Sequence, residues 1–247
     1  MTPPPIRLLV SARTLAEAQA AQAGGADYVD LKEPRAGPLG GLAAAEIATI
    51  VAALRARAGR QWISATIGDL PPGDRPAILA QVDAVAATGV DYVKVGIPGI
   101  ADVPASRRLL EALAACGHAV VPVFLADDGL DRALVDRACG LGFPLVMADT
   151  AGKQHGSLFD RVPGPDLADF VGRARGAGIP VGLAGALRLA DLPRLAALRP
   201  DFAGFRSAVC REGRGSALDP ALVRGLAQAL RAMSDCPRNI RHTVLPA

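Results

Sequence analysis

Lysine is nearly absent from this chain. Of its 27 basic residues only Lys32, Lys94 and Lys153 are lysines; the rest are arginines. A chain that uses arginine for ordinary surface charge has reason to keep lysine where a guanidinium fails. Lysine alone offers an amine that its surroundings can render neutral and nucleophilic near pH 7. Aromatic residues are scarce too. Six Phe, two Tyr and one Trp are too few for the stacking platforms that hold single-stranded nucleic acid. With a formal net charge of only +3 and no arginine-rich block, nucleic acid is not an expected partner. Cys116, Cys139, Cys210 and Cys236 lie far apart with no Cys-x-x-Cys pair. This excludes a zinc ribbon and argues against a disulfide framework, as fits a reducing cytoplasm. The three histidines, His118, His155 and His242, show no His-x-x-x-His spacing, so no structural transition metal is expected. No apolar run reaches the roughly 18 residues that a membrane span needs. The Met-Thr-Pro-Pro-Pro start lacks the basic and apolar regions of a signal peptide. A cytoplasmic protein without membrane contact is expected.

What is present is one long alternation. Of 247 residues, 51% are hydrophobic, enough for one large core. Strand-like runs are predicted near 6–11, 27–32, 61–66, 91–96, 119–125, 144–149, 180–184 and 201–206. Alanine-rich segments with helical spacing follow, near 14–23, 43–58, 74–88, 104–115, 129–140, 165–176, 188–197 and 219–234. Thr14, Asp74 and Asp219 suit helix N-caps, and Pro165 and Pro220 suit first turns. A weak repeat supports the count: Asp27-Tyr28-Val29-Asp30-Leu31-Lys32 parallels Asp91-Tyr92-Val93-Lys94-Val95-Gly96 and Asp201-Phe202-Ala203-Gly204-Phe205-Arg206. Eight such units predict an α/β fold, a single (β/α)8 TIM-type barrel over residues 1–235 with a tail at 236–247. A doubly wound sheet is the alternative, but no Gly-x-Gly-x-x-Gly follows the first strand.

Strand side chains alternate in direction. The repeat puts Asp30, Lys32, Lys94 and Arg206 on one face, which we assign to the barrel mouth. Asp149 is the inward end of the sixth strand, and Ser11, Ser64 and Thr66 are candidate polar lining. Tyr28, Val93, Val95 and Phe205 are assigned to the helix layer. Trp62 and Met147 read as core, and Cys210 as a packed small residue. Asp69 and Asp74 read as turn and cap residues, and His155 as a solvated loop residue. Buried charges are costly unless paired, and two lysines with two aspartates make a balanced cluster. Such a cluster serves either as a salt-bridge network closing the barrel or as a Schiff-base lysine with acid–base partners. Gly182–Ala186 and Arg206–Cys210 close the seventh and eighth strands, where barrels often bind phosphate. Gly185, Arg206 and Ser207 are therefore the candidate phosphate-binding residues.

Several segments together resemble the (5-formylfuran-3-yl)methyl phosphate synthase family, also called 4-(hydroxymethyl)-2-furancarboxaldehyde-phosphate synthase. They are Leu8–Ser11, Gly24–Asp27, Asp30-Leu31-Lys32-Glu33-Pro34, Gly37-x-Leu39-Gly40, Ser64–Asp69, Tyr92–Gly96, Asp149-Thr150-Ala151-x-Lys153, Gly156-x-Leu158-Phe159-Asp160, Ala184-Gly185-x-Leu187 and Gly204-x-Arg206-x-Ala208-Val209-Cys210. The resemblance implies a TIM-type barrel that condenses two molecules of glyceraldehyde 3-phosphate, with loss of phosphate and water, on the way to methanofuran-type cofactors. It implies Lys32 as the Schiff-base lysine, Lys94 as the acid–base lysine, and Asp30, Asp149 and Lys153 as supporting residues. Lys153 is also our candidate for a second phosphate. The only expected partner is a phosphorylated small molecule, and no metal or organic cofactor is implied. Whether the barrel works alone or as a homo-oligomer stays open. The residues alone leave two rivals: a class I aldolase-like phosphosugar enzyme and a non-catalytic phosphometabolite-binding barrel.

Overall fold

The computed structural model describes residues 4–233 except 38, 58, 99, 101, 153–155 and 214. Lys153, His155 and the 236–247 tail therefore lie outside the described residues. Eight parallel strands close into a barrel in sequence order. They are β1 (Arg7–Ala12), β2 (Tyr28–Leu31), β3 (Trp62–Thr66), β4 (Tyr92–Pro98), β5 (Val120–Leu125), β6 (Val146–Asp149), β7 (Val181–Leu183) and β8 (Phe202–Phe205). Around them lie α1 (Leu15–Gly24), α2 (Ala44–Arg55), α3 (Arg75–Ala86), α4 (Val103–Ala115), α5 (Arg132–Gly140), the short α6 (Leu158–Arg161), α7 (Gly164–Gly176), α8 (Leu192–Leu198) and α9 (Pro220–Ala232). The predicted (β/α)8 architecture is the one observed.

Local chemistry explains the boundaries. Side chains of Thr14, Asp74, Asp102, Asp131 and Asp219 accept backbone N–H groups at the starts of α1, α3, α4, α5 and α9, satisfying donors that a helix leaves unpaired. The Asp131 cap explains why α5 begins later than the predicted residue 129. The periodicity did not reveal α6, a single turn inside the long loop after β6. Its Leu158 is fully buried, Asp160 reaches back to the Ser157 N–H at 2.8 Å, and Leu158 N–H donates to Gly185 O at 2.7 Å. That turn braces the end of β7.

Two apolar layers result. Outward residues such as Val10, Val29, Leu31, Val93, Val95 and Phe205 pack under the helices. Inward residues, among them Leu9, Val121, Val123, Met147 and Phe202, fill the barrel itself. Tyr28 belongs to this inner group and not to the helix layer. It shares the alternation phase of Asp30 and stacks at a tilt on Phe202, ring centres 5.2 Å apart. Trp62 is not core either. It is 44% exposed at the entry of β3, leaning on Tyr92.

Gly182 makes room for this interior: a Cβ there would meet the Phe202 ring at 2.1 Å. Gly182→Ala is expected to destabilise the barrel by about 1–3 kcal/mol through overpacking. Denaturant unfolding checks it, and an unchanged midpoint would contradict this account of Phe202.

The loop over 33–42 folds onto the β3–β5 side of the mouth. Thr66 Oγ1 donates to Gly40 O at 2.9 Å, Leu39 N–H donates to Asp69 at 3.4 Å, and Leu39 is 1% exposed. Leu39 fits because β4 has glycine beneath it: a Cβ on Gly96 would lie 2.8 Å from Leu39 Cδ1. Thr66 thus anchors a loop, whereas the sequence suggested a lining role. Asp69 is a loop-holding acceptor, in keeping with its predicted turn role.

Candidate active site

The inward phase of β1, β2, β4 and β6 brings the charged residues together at the C-terminal ends of the strands, the face where barrels place their chemistry. Ser11, Asp30 and Ser64 are register partners across β1, β2 and β3. Thr66 and Lys94 pair across β3 and β4, and Leu125 and Asp149 across β5 and β6. Lys32 sits just past β2, its N–H bonded to Ala12 O. One cavity, open to solvent, is lined by Ser11, Asp30, Lys32, Lys94 and Asp149 together with Gly185, Arg206 and Ser207. The two lysines predicted to act together therefore share a chamber.

Each lysine has a carboxylate. Lys94 Nζ lies 3.0 Å from Asp30 Oδ1, and Lys32 Nζ lies 3.7 Å from Asp149 Oδ2. All four residues are buried, with Lys32 the least so at 5% exposure. Asp30 also accepts from Ser64 Oγ at 2.7 Å and Ser11 Oγ at 3.2 Å. Burial alone would raise the Asp30 pKa. Lys94 and Lys32 nearby, with the Ser64 hydrogen bond, outweigh it and hold the carboxyl below its ordinary value. Asp30 is thus a carboxylate that fixes Lys94 by charge. Lys94 Nζ meets Asp30 as a buried ion pair at 3.0 Å, a contact whose strength is set by separation. Asp149 Oδ1 accepts the Thr150 N–H at 2.7 Å, which fixes the carboxylate facing Lys32.

Gly185 and Ala186 form one wall of the cavity, with φ values of 113° and 47°. A left-handed alanine is a strained residue, and such strain gathers at functional sites. A Cβ on Gly185 would approach Thr150 Oγ1 to 2.8 Å. From the neighbouring strand, Ser207–Val209 form a single 3-10 turn after β8, and Ser207 lines the same cavity. Among the described residues, the N–H groups of Gly185, Ala186, Ser207 and Ala208 have no backbone or side-chain acceptor. Small residues with unspent amides suit an anionic ester.

Arg206 lines the cavity but is committed elsewhere. Its terminal nitrogens donate to Glu17 Oε2 at 2.8 Å, Glu17 Oε1 at 3.0 Å and Ser11 O at 2.9 Å. The sequence pointed to this arginine as a phosphate ligand; the structure turns its fork into α1. Glu17 escaped sequence reasoning because Thr14-x-x-Glu17 has the pattern of a helix cap, and Glu17 does accept the Arg13 N–H at 2.9 Å. Nothing local indicates a partner 189 residues away. Burial would raise the Glu17 pKa, but Arg206 and Arg13 hold it below its ordinary value.

Glu17 and Asp30 therefore make a joint prediction. Both bind protons less readily folded than unfolded, so their stabilisation is complete above the ordinary carboxylate range and is lost as the pH falls through their depressed values. The melting temperature should hold from neutral pH to about pH 5 and fall below about pH 4, given unperturbed carboxyls near 4. A decline starting near pH 6 would contradict the assignment. Cys210 is 6% exposed, as its packed reading requires, and burial pushes its thiol up. Among the described residues no group of His, Cys, Asp and Glu could hold a metal, and no helix is long and apolar enough to cross a membrane.

Fold and cluster together define a (β/α)8 barrel with a lysine–aspartate centre at its strand ends, beside a wall of small residues that includes Gly185. Comparison with known sequences narrows this class. Residues 8–227 match the 4-HFC-P synthase family, and the chain belongs to that family. A Methylorubrum extorquens protein provisionally named (5-formylfuran-3-yl)methyl phosphate synthase is 41% identical, over 94% of this chain and 93% of its own length. The (5-formylfuran-3-yl)methyl phosphate synthases of Methanopyrus kandleri (38% identical, 91% of this chain, 98% of theirs) and Archaeoglobus fulgidus (34%, 91% and 99%) are similar over the same span. Among solved structures, 3-hexulose-6-phosphate synthase from Salmonella typhimurium superposes with a TM-score of 0.61 at 22% identity, covering 92% of this chain and 100% of that one. Phosphoribosyl anthranilate isomerase from Thermus thermophilus gives 0.61 at 18% identity, with 92% and 100% covered. These last two attest the barrel alone.

Proposed function

We propose that this chain joins two molecules of glyceraldehyde 3-phosphate into (5-formylfuran-3-yl)methyl phosphate, as a lyase working through a Schiff base on Lys32. The observation that carries the reading is that both buried lysines, each with its own carboxylate, share one cavity with the Gly185–Ser207 wall.

The chemistry follows from the positions. The Lys32 amine condenses with the aldehyde of the first triose, releasing water. The iminium acidifies the neighbouring C2–H, and Lys94, acting as the amine once its proton has passed to Asp30, takes that proton. The resulting enamine expels the phosphate on C3, leaving an unsaturated iminium that is electrophilic at C3. The second triose, deprotonated at its own C2, attacks there and forms the carbon–carbon bond. The C2 oxygen of the first triose closes on the aldehyde of the second. Two dehydrations make the furan, and hydrolysis frees Lys32. The net loss is one phosphate and two waters. The departing phosphate is assigned to the amides of Gly185, Ala186 and Ser207, which line the cavity, and Lys153 to the retained one. Asp149 holds the Lys32 ammonium and takes its proton as the substrate carbonyl arrives, freeing the amine to attack. Holding both trioses in one chamber supplies the orientation that a two-substrate condensation needs.

The test is incubation with glyceraldehyde 3-phosphate, following ultraviolet furan absorbance while borohydride-quenched samples are mapped by mass spectrometry. A furan product with an adduct on Lys32 is expected. An adduct without furan would indicate an aldolase-like enzyme, and neither would indicate a binding barrel.

A further inference from the structure

The arginine at the phosphate wall is paired from behind with a carboxylate that has no part in the chemistry above. Arg206 lies at an inward position beyond β8 and lines the cavity with Ser11, Gly185, Ala186 and Ser207. Its side chain is 4% exposed, as is that of Glu17. Glu17 takes both terminal nitrogens of the guanidinium, and the same carboxylate accepts Arg13 Nε at 3.2 Å. Remaining donors on those nitrogens reach Ser11 O at 2.9 Å and Ser216 O at 3.5 Å. A bidentate arginine–carboxylate pair is among the strongest polar contacts a protein makes. Out of water it offsets much of the Arg206 charge that would otherwise act on a dianion in the cavity, although Arg13, 19% exposed, shares the carboxylate.

We propose that Glu17 sets the phosphate affinity of this site by withholding the Arg206 charge, so that an inorganic phosphate leaving group is held by neutral amides and departs. This rests on the proposed function only in taking phosphate as a product. The pair has a cost that this role explains. Burying two opposite charges gains little over apolar packing, whereas a site that must release a dianion each cycle gains from a weaker grip. Glu17 is thus a positioning residue acting through Arg206.

The test is isothermal titration of the full chain with inorganic phosphate, paired with inhibition by phosphate of substrate trapping at Lys32. Glu17→Gln removes the carboxylate paired with Arg206 and should tighten phosphate at least about tenfold. Its inhibition constant should fall in parallel, and turnover should fall as product lingers. Glu17→Asp, which keeps the charge, should stay within about threefold of the parent. The double variant Glu17→Gln/Arg206→Gln removes both charges and should also return to within about threefold. A merely structural role predicts the reverse: a looser wall and weaker phosphate binding in every variant. Unchanged or weakened binding in Glu17→Gln would overturn the proposal. If that variant does not fold, as far-ultraviolet circular dichroism would show, the double variant decides. A loss of about tenfold or more there would make Arg206 a direct phosphate ligand and end the idea. Tightening without any furan product would instead sink the reaction proposed above and leave this inference standing.

Discussion

Lys32→Ala is expected to reduce furan formation by roughly 10⁴-fold or more and to abolish the borohydride-trapped adduct, because no other described amine can take its place. Lys94 Nζ is held at 3.0 Å by Asp30 and is 2% exposed, whereas Lys32 is the lysine paired with Asp149. Removing Lys32 takes one counter-charge from Asp149, which is itself 2% exposed. Truncating one partner of a buried pair commonly destabilises by about 3–5 kcal/mol. Thermal unfolding of the variant must therefore accompany the rate, so that a lost amine is not confused with a lost fold. Turnover within tenfold of the parent in folded protein would dismiss the Schiff-base route.

Lys94→Arg separates charge from proton transfer. A guanidinium can still pair with Asp30, but it stays protonated at any working pH and can neither take nor return a proton. Turnover should fall by about 10²- to 10⁴-fold, the usual worth of a positioned acid–base group. The Lys32 adduct should still be trapped, because condensation with the aldehyde precedes the proton abstraction assigned to Lys94. Unchanged turnover would remove Lys94 from that role. An adduct lost along with turnover would mean that Lys94 prepares Lys32 for attack.

The contrast between these two lysines and Arg206 marks how far a sequence can be read. The inward phase of Asp30, Lys32, Lys94 and Asp149 follows from strand alternation, a rule that acts over two residues. It held at every one of these positions. Tyr28 obeys the same rule: two residues before Asp30, it turns its ring into the barrel and not to the helix layer. Trp62 was misjudged because composition says nothing of which end of a strand meets solvent. Arg206 was rightly placed at the cavity, but what its fork would hold was not legible. A guanidinium reaches several ångströms, and its acceptor lies on a helix at the other end of the chain. Leu39 over Gly96 is similar: the glycine-rich loop was visible, its descent into the mouth was not.

By itself, then, the sequence determined the eight-fold alternation, the barrel it closes into, the family, and which lysines and aspartates face inward, because periodicity and backbone direction are local properties written residue by residue. The tertiary structure alone decided which charge answers which. Lys94 fell to Asp30, Lys32 to Asp149 and Arg206 to Glu17, because ion pairing in a desolvated cavity depends on separations between strands and helices that only closure of the barrel sets.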